Sequence, residues 1–159
     1  MYDIEKKREE IVKKNYELLN EFKIFLEEQG LSKKTIIKHL NNMNFYFNKY
    51  LIYYAMYDNE NGETVIANAI DGVNIDFIDE FLGNFFIRKV LWSNENAVKS
   101  NITSFKRFIK FLHTKGLIMD LDFEILKENI KDLKDDWIRK VNLYNDPNTN
   151  FEDIMYEFD

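Results

Sequence analysis

The sequence has no cysteine, a single proline and only two histidines among its 159 residues. The lack of cysteine excludes disulfide bonds and thiolate metal sites, and two histidines as far apart as His39 and His113 do not suggest a zinc site. No apolar run reaches the roughly 18 residues of a membrane span, and the chain does not begin with the basic and then apolar segments of a signal peptide. We therefore expect a cytoplasmic protein without a metal site.

Other signs of catalytic chemistry are also missing from the sequence. It has no arrangement typical of an activated nucleophile and no glycine-rich phosphate loop. Asp135 and Asp136 are adjacent, but adjacent residues on a helix point about 100° apart and make a poor shared acid–base or metal site. We expect neither a cofactor nor a small-molecule substrate.

Apolar residues recur at helical spacing through most of the chain, and no stretch alternates as a strand would. They form five long stripes: Leu18–Leu26, Ile36–Tyr54, Phe77–Phe86, Val98–Leu112 and Phe123–Tyr144. We predict an all-α fold in one domain, residues 1–159. It would be a compact orthogonal bundle of about five main helices, with an extra C-terminal helix after Asp146-Pro147.

The ends of two helices carry matching signals. Gly30 and Gly116 are each followed by a leucine, which predicts left-handed glycines in Schellman endings. Ser32 and Ser93 are the expected N-caps of the helices that we number two and four.

A loop over residues 57–75 separates helices two and three. Asn61-Gly62 and Asp71-Gly72 predict turns, and the apolar segment between them predicts a short helix, Val65 to Ile70.

Charge is divided unevenly along the chain, which has a net charge of −6. Residues 29–57 hold four basic and no acidic side chains, and residues 88–116 hold seven basic and one acidic. The remaining segments are all negative. Helices two and four therefore concentrate the positive charge of an acidic protein.

The basic residues of these two helices lie opposite their apolar stripes. In helix four they share a face of about 60° with Thr103, and in helix two they share a face with Phe45. Two explanations stay open: an anionic partner, or the solvated outer face that every amphipathic helix needs. Segregation of sign favours a partner, since a surface that only confers solubility usually mixes both signs.

Three segments resemble the core-binding domain of tyrosine recombinases, the SAM-like helical domain of phage integrases. "NEFKIFLEEQGLSKKTIIKHLNNMNFYFNKYL" resembles its opening, "VNIDFIDEFLGNF" its middle helix and "SNENAVKSNITSFKRFIKFLHTKGLI" its last helix. The likeness covers residues 20–118 and implies a bundle that clamps double-stranded DNA while a separate domain performs strand cleavage.

The resemblance implies that basic residues of helices two and four face the DNA. By position they are Lys33, Lys34, Lys38, Lys99, Thr103, Lys106, Arg107 and Lys110.

The family's catalytic set of Arg, His-x-x-Arg and Tyr is absent, because neither histidine is followed three residues later by arginine. We expect a non-catalytic DNA-binding module, either independent or part of a longer recombinase. The alternative is an all-helical protein-interaction module that no longer binds DNA.

Residues 119–159 form an acidic extension that lies outside the part of the chain resembling the core-binding domain. Its helix either completes the bundle, or it docks on a second protein or shields the basic faces until DNA displaces it. If the protein clamps DNA, we expect changes at Lys127 and Lys131 of this acidic helix to leave the binding almost unchanged.

Overall fold

The computed structural model describes residues 3–158, which form six helices and one small hairpin. Helices α2 and α3 each contain an internal π-helical segment. The bounds are α1 Ile4–Glu28; α2 Lys33–Phe45, continued by Tyr46–Leu51 and Ile52–Tyr54; β1 Met56–Asp58; β2 Thr64–Ile66; α3 Ile75–Glu80, continued by Phe81–Phe85 and Phe86–Lys89; α4 Glu95–Thr114; α5 Asp120–Asn145; and α6 Phe151–Phe158. The all-α prediction is confirmed.

The two glycine-terminated helices end as predicted. Gly30 has φ of 77° and Gly116 has φ of 73°. Each glycine N–H donates to the carbonyl three residues earlier, and the N–H of the following leucine donates to the carbonyl five residues earlier. These are the two hydrogen bonds of a Schellman ending, which satisfy carbonyls that the helix leaves free.

One of the two predicted N-caps is wrong. Ser32 caps α2 by accepting from the Thr35 N–H, as expected. Helix α4 is capped by Asn94, whose side chain accepts from the Ala97 N–H. The hydroxyl of Ser93 instead donates to the Ile87 carbonyl at 3.1 Å, so this serine fastens α4 to the end of α3.

The predicted helix Val65 to Ile70 is also wrong. Thr64–Ile66 pairs antiparallel with Met56–Asp58, and Tyr57 lies opposite Val65. Gly62 takes the left-handed conformation in the turn. The hairpin lies against the N-terminal part of α1, since Lys7 Nζ donates to the Thr64 carbonyl at 3.3 Å.

Aromatic side chains fill the centre of the bundle. Tyr46 is fully buried and touches both Phe81 and Phe105, with ring centroids 4.8 and 4.7 Å apart. Its hydroxyl donates to the Gly72 carbonyl at 2.7 Å, so the buried polar atom is satisfied. Burial raises the pKa of Tyr46 well above its ordinary value, and the ring stays neutral.

Helix α5 joins this same hydrophobic core through its apolar stripe. Trp137 is fully buried, and its indole N–H donates to Asp79 of α3 at 2.7 Å. The indole lies so close to Gly83 that a β-carbon added there would come within 3.1 Å of it. These contacts support the first interpretation of the acidic extension, in which α5 completes the bundle.

Helix α6 packs on the C-terminal half of α5. Arg139 binds the Glu157 carboxylate through two nitrogens, at 3.0 and 2.9 Å, and Phe158 meets Tyr144 edge to face. The last helix therefore sits on α5 and not across the basic faces of α2 and α4. None of the helices within residues 3–158 is both long and apolar enough to cross a membrane.

Candidate nucleic-acid interface

The basic face of α4 is exposed over its whole length. Lys99, Thr103, Lys106 and Lys110 are all solvent-exposed, while Phe105, on the opposite side of the helix, is buried. Thr103 donates its hydroxyl to the Lys99 carbonyl one turn earlier, which leaves its oxygen able to accept a further hydrogen bond. The helical spacing therefore predicted this face correctly.

Lys99 differs from the other lysines of this face because it is already paired. Its ammonium lies 3.0 Å from Glu95, and the same carboxylate accepts from Asn142 of α5 at 2.8 Å. The hydrogen bond from Asn142 and the nearby Lys99 lower the pKa of Glu95. An anionic ligand would have to compete with Glu95 for Lys99.

On α2 the exposed lysines lie on two sides of the helix. Lys34 and Lys38 are four residues apart and share a side, whereas Lys33 is about 140° away from Lys38 around the axis. On α4, Arg107 is half-buried and lies about 100° from Lys106 around the axis, so Lys33 and Arg107 both lie outside the faces that the rest of the predicted set shares.

The inner edges of α2 and α4 are joined by a row of polar side chains. His39 of α2 is buried, with Nδ1 2.7 Å from the hydroxyl oxygen of Ser104 on α4. Asn42 donates its amide to Ser104 at 2.9 Å and to Ser100 at 3.0 Å. These hydrogen bonds hold α2 and α4 side by side. The basic faces of the two helices can form one surface only if the helices are adjacent in this way.

The hydrogen bonds of Ser104 define the tautomer of His39. The Ser104 hydroxyl donates its only proton to the Ser100 carbonyl at 3.1 Å, so its oxygen can only accept from His39 and Asn42. We therefore assign the imidazole proton to Nδ1. The Ser104 hydroxyl then has its donor and both of its acceptor positions in use.

His39 stays neutral at ordinary pH. Burial, with the positive charges of Lys38 and Arg107 adding to it, lowers its pKa from 6.5 to about 4. Lys38 belongs to α2 and Arg107 to α4, so cations of both helices act on one imidazole. This local concentration of positive charge is the first link between the two predicted basic faces.

Phe45 is not the freely exposed aromatic residue that its position on α2 suggested. It is half-buried, and its ring lies 6.2 Å from that of Phe81 and 5.9 Å from that of Trp92. Trp92 itself is 63% exposed. The loop before α4 therefore supplies the exposed aromatic ring on this side of the molecule.

A groove between α4 and α5 was not predicted. Its volume is about 710 Å³, and it is lined by Lys106, Lys110, His113, Thr114, Phe123, Glu124, Lys127, Glu128 and Lys131. We expected changes at Lys127 and Lys131 to leave DNA binding almost unchanged, but the structure places both lysines in the same groove as Lys106 and Lys110. The two lysine pairs line the two sides of one groove.

Phe123 organises the end of this groove. Its ring stacks on His113 with centroids 4.2 Å apart, and the Lys127 ammonium lies 5.0 Å above it. His113 Nε2 is 2.6 Å from Asp120, the first residue of α5. These contacts hold the two helices together at the turn and place Lys127 at the groove.

Within residues 3–158, no group of three or more acidic or histidine side chains could hold a metal ion. A comparison of the chain with protein-family models, with curated proteins and with solved structures finds no match.

Proposed function

We propose that this protein is a non-catalytic DNA-binding module that clamps duplex DNA through the exposed basic faces of α2 and α4. The observation that carries the proposal is the joining of these two faces. Lys38 of α2 and Arg107 of α4 both act on the buried His39, and the hydrogen bonds from His39 and Asn42 to Ser104 hold α2 against α4. The segregation of positive charge in a chain of net charge −6 is then a functional feature.

The available cations also support this proposal. Five basic side chains of these helices make no hydrogen bond or ion pair with any residue in the described range 3–158: Lys34, Lys38, Lys106, Arg107 and Lys110. Lysine and arginine side chains of this kind bind phosphates and release condensed counterions, which drives association with DNA. Such contacts orient a protein on DNA but do not read its sequence.

The resemblance to the core-binding domain of tyrosine recombinases fits the same proposal. From this resemblance we expect a SAM-like arrangement of the helices. We also expect that the protein comes from a mobile element or is part of a longer recombinase. The extension formed by α5 and α6 departs from that pattern.

The experiment is a titration of a fluorescent duplex of mixed sequence at several salt concentrations. With three to five phosphates neutralised, the logarithm of the affinity should fall with the logarithm of salt with a slope of about −3 to −5. The double variant Lys106→Glu/Lys110→Glu should lose binding without unfolding, because both side chains are exposed and exposed substitutions usually cost about 0.5 kcal/mol or less.

A matched control uses two lysines of α1. Lys6 and Lys13 are exposed, and they lie about 24 and 13 Å along the helix from Phe22, where α1 meets α4. The variant Lys6→Glu/Lys13→Glu should bind almost as the wild type does. Absence of duplex binding at low salt, or equal losses in both variants, would contradict the proposal.

A second function is favoured by one observation. The turn between α4 and α5 and the first turn of α5 expose several apolar side chains, among them Met119 at 74% and Leu121 at 70%. Exposed apolar residues grouped in this way are typical of protein-interaction surfaces. If the titration shows no DNA binding, we propose an all-helical protein-interaction module as the alternative function.

A further inference from the structure

The groove between α4 and α5 carries positive charge on both walls. Lys106 and Lys110 come from α4, and Lys127 and Lys131 come from α5. Both pairs have a spacing of four residues, which puts their members on one side of each helix and about 6 Å apart along the axis. A DNA strand carries one charge per roughly 3.4 Å of helix axis, so each wall spans about two phosphates.

Most of these lysines are not paired with a carboxylate. In the part of the chain that the structure describes, Lys106, Lys110 and Lys131 have no ion-pair partner. Lys127 lies 3.7 Å from Glu124, and both side chains are more than half exposed. An exposed pair of this kind contributes little to stability, so a phosphate can take the place of Glu124 at Lys127.

Two carboxylates reduce the positive charge of the groove. Glu124 and Glu128 lie among the four lysines, which leaves a surplus of positive charge. The two carboxylates repel phosphates, and this repulsion weakens binding more at low salt than at high salt. The groove is thus a cationic channel in which two carboxylates repel phosphates.

We propose that the phosphate backbone of the duplex enters this groove and that Lys127 and Lys131 bind it together with Lys106 and Lys110. This inference rests on the proposed function and extends the DNA-contacting surface from two helices to three. The acidic helix α5 is then a part of the interface instead of a shield over it. The carboxylates of α5 in the groove repel phosphates and so lower the affinity for DNA.

The test compares Lys127→Gln/Lys131→Gln with the control Lys6→Gln/Lys13→Gln in the salt titration. Loss of two phosphate contacts should make the log–log slope less negative by about 2, since each contact contributes about 0.9. The control should keep the wild-type slope. The companion variant Glu124→Gln/Glu128→Gln should bind more tightly than the wild type at low salt, because it removes two negative charges from the groove.

A second measurement does not depend on any variant. Wild-type protein is acetylated with and without duplex, and the modified lysines are quantified by mass spectrometry. Lys127 and Lys131 should be protected several-fold by DNA, to the same degree as Lys106, while Lys6 and Lys13 should react equally in both samples.

The outcomes separate the two proposals. If the wild type binds DNA but Lys127 and Lys131 are neither protected nor needed for the wild-type slope, the groove inference is wrong and the two-helix clamp stands. If the wild type binds no duplex at low salt, both proposals fall together. A reduced slope with protection of both lysines supports the three-helix interface.

Discussion

The buried histidine between α2 and α4 should make the stability of the fold depend on pH. The pKa of His39 is lowered to about 4 in the folded protein, against 6.5 in the unfolded chain. As the pH falls through 6.5, the unfolded chain takes up a proton that the folded protein refuses until about pH 4. The stability is therefore complete above pH 6.5 and is lost progressively towards pH 4.

The size of this effect follows from the two pKa values. Each pH unit between them changes the free energy of unfolding by about 1.4 kcal/mol. Between about pH 7 and about pH 5 the unfolded chain gains its proton over some 1.5 units, so His39 should lower the unfolding free energy by about 2 kcal/mol. His39 is only 1% exposed, so solvent screening does not reduce this figure greatly.

The assay is urea denaturation at about pH 7, 6 and 5, with the wild type compared against His39→Asn. An asparagine amide nitrogen occupies nearly the place of Nδ1, so the donor to Ser104 is kept and the titration is removed. The variant will be less stable at every pH because a ring is lost from the core. Only the difference between its values at high and low pH tests the reasoning.

Acidic residues do not disturb this comparison. The pKa values of Glu95, Asp136 and Glu157 are lowered, so they too stabilise less as the pH falls, but they do so equally in both proteins. We expect the wild type to lose about 2 kcal/mol more than the variant between about pH 7 and pH 5. Equal losses would refute the assignment of a neutral, buried His39.

Two further predictions concern the framework of the fold. Gly30→Ala and Gly116→Ala should each lower the unfolding free energy by about 1 kcal/mol, because both glycines have positive φ and nothing lies within 4 Å of an added β-carbon; thermal melts that match the wild type would contradict this. Trp137→Ala should lower the unfolding free energy by about 3 to 5 kcal/mol, since the indole is fully buried against α3. Urea denaturation of this variant should still show a single cooperative transition. A separate early transition of α5 would show that this helix is not part of the common core.

The helices could be predicted from the sequence because their signals are local. The apolar stripe around Phe105 and the glycines that end α1 and α4 act through neighbours a few residues away. The cap of α4 could not be predicted, since Ser93 and Asn94 are both good N-caps. The choice depends on the Ile87 carbonyl, which accepts the Ser93 hydroxyl, and on Asn145, which donates to the Ser93 carbonyl.

The hairpin and the groove were missed for a related reason. Three-residue strands such as Thr64–Ile66 are too short to show alternation, and this one is fixed by pairing with β1 and by contact with α1. Helical spacing places Lys127 and Lys131 on one side of α5 but does not say which helix that side faces. The basic face of α4 was predicted, while the opposite wall of its groove depends on tertiary packing.

The π-helical segment of α2 holds one residue more than a regular α-helical turn would. Of its six residues, Tyr46–Leu51, all except Lys49 are buried. Deleting a single residue here would restore the regular repeat and leave the parts of α2 on either side in nearly the same relative orientation, whereas a deletion in the regular part Lys33–Phe45 would rotate everything after it by about 100°. The second deletion would turn the hairpin away from α1, where Arg8 now holds the Ile52 carbonyl at 3.0 Å. The segment is therefore where α2 can lose a residue and still keep its alignment with α1.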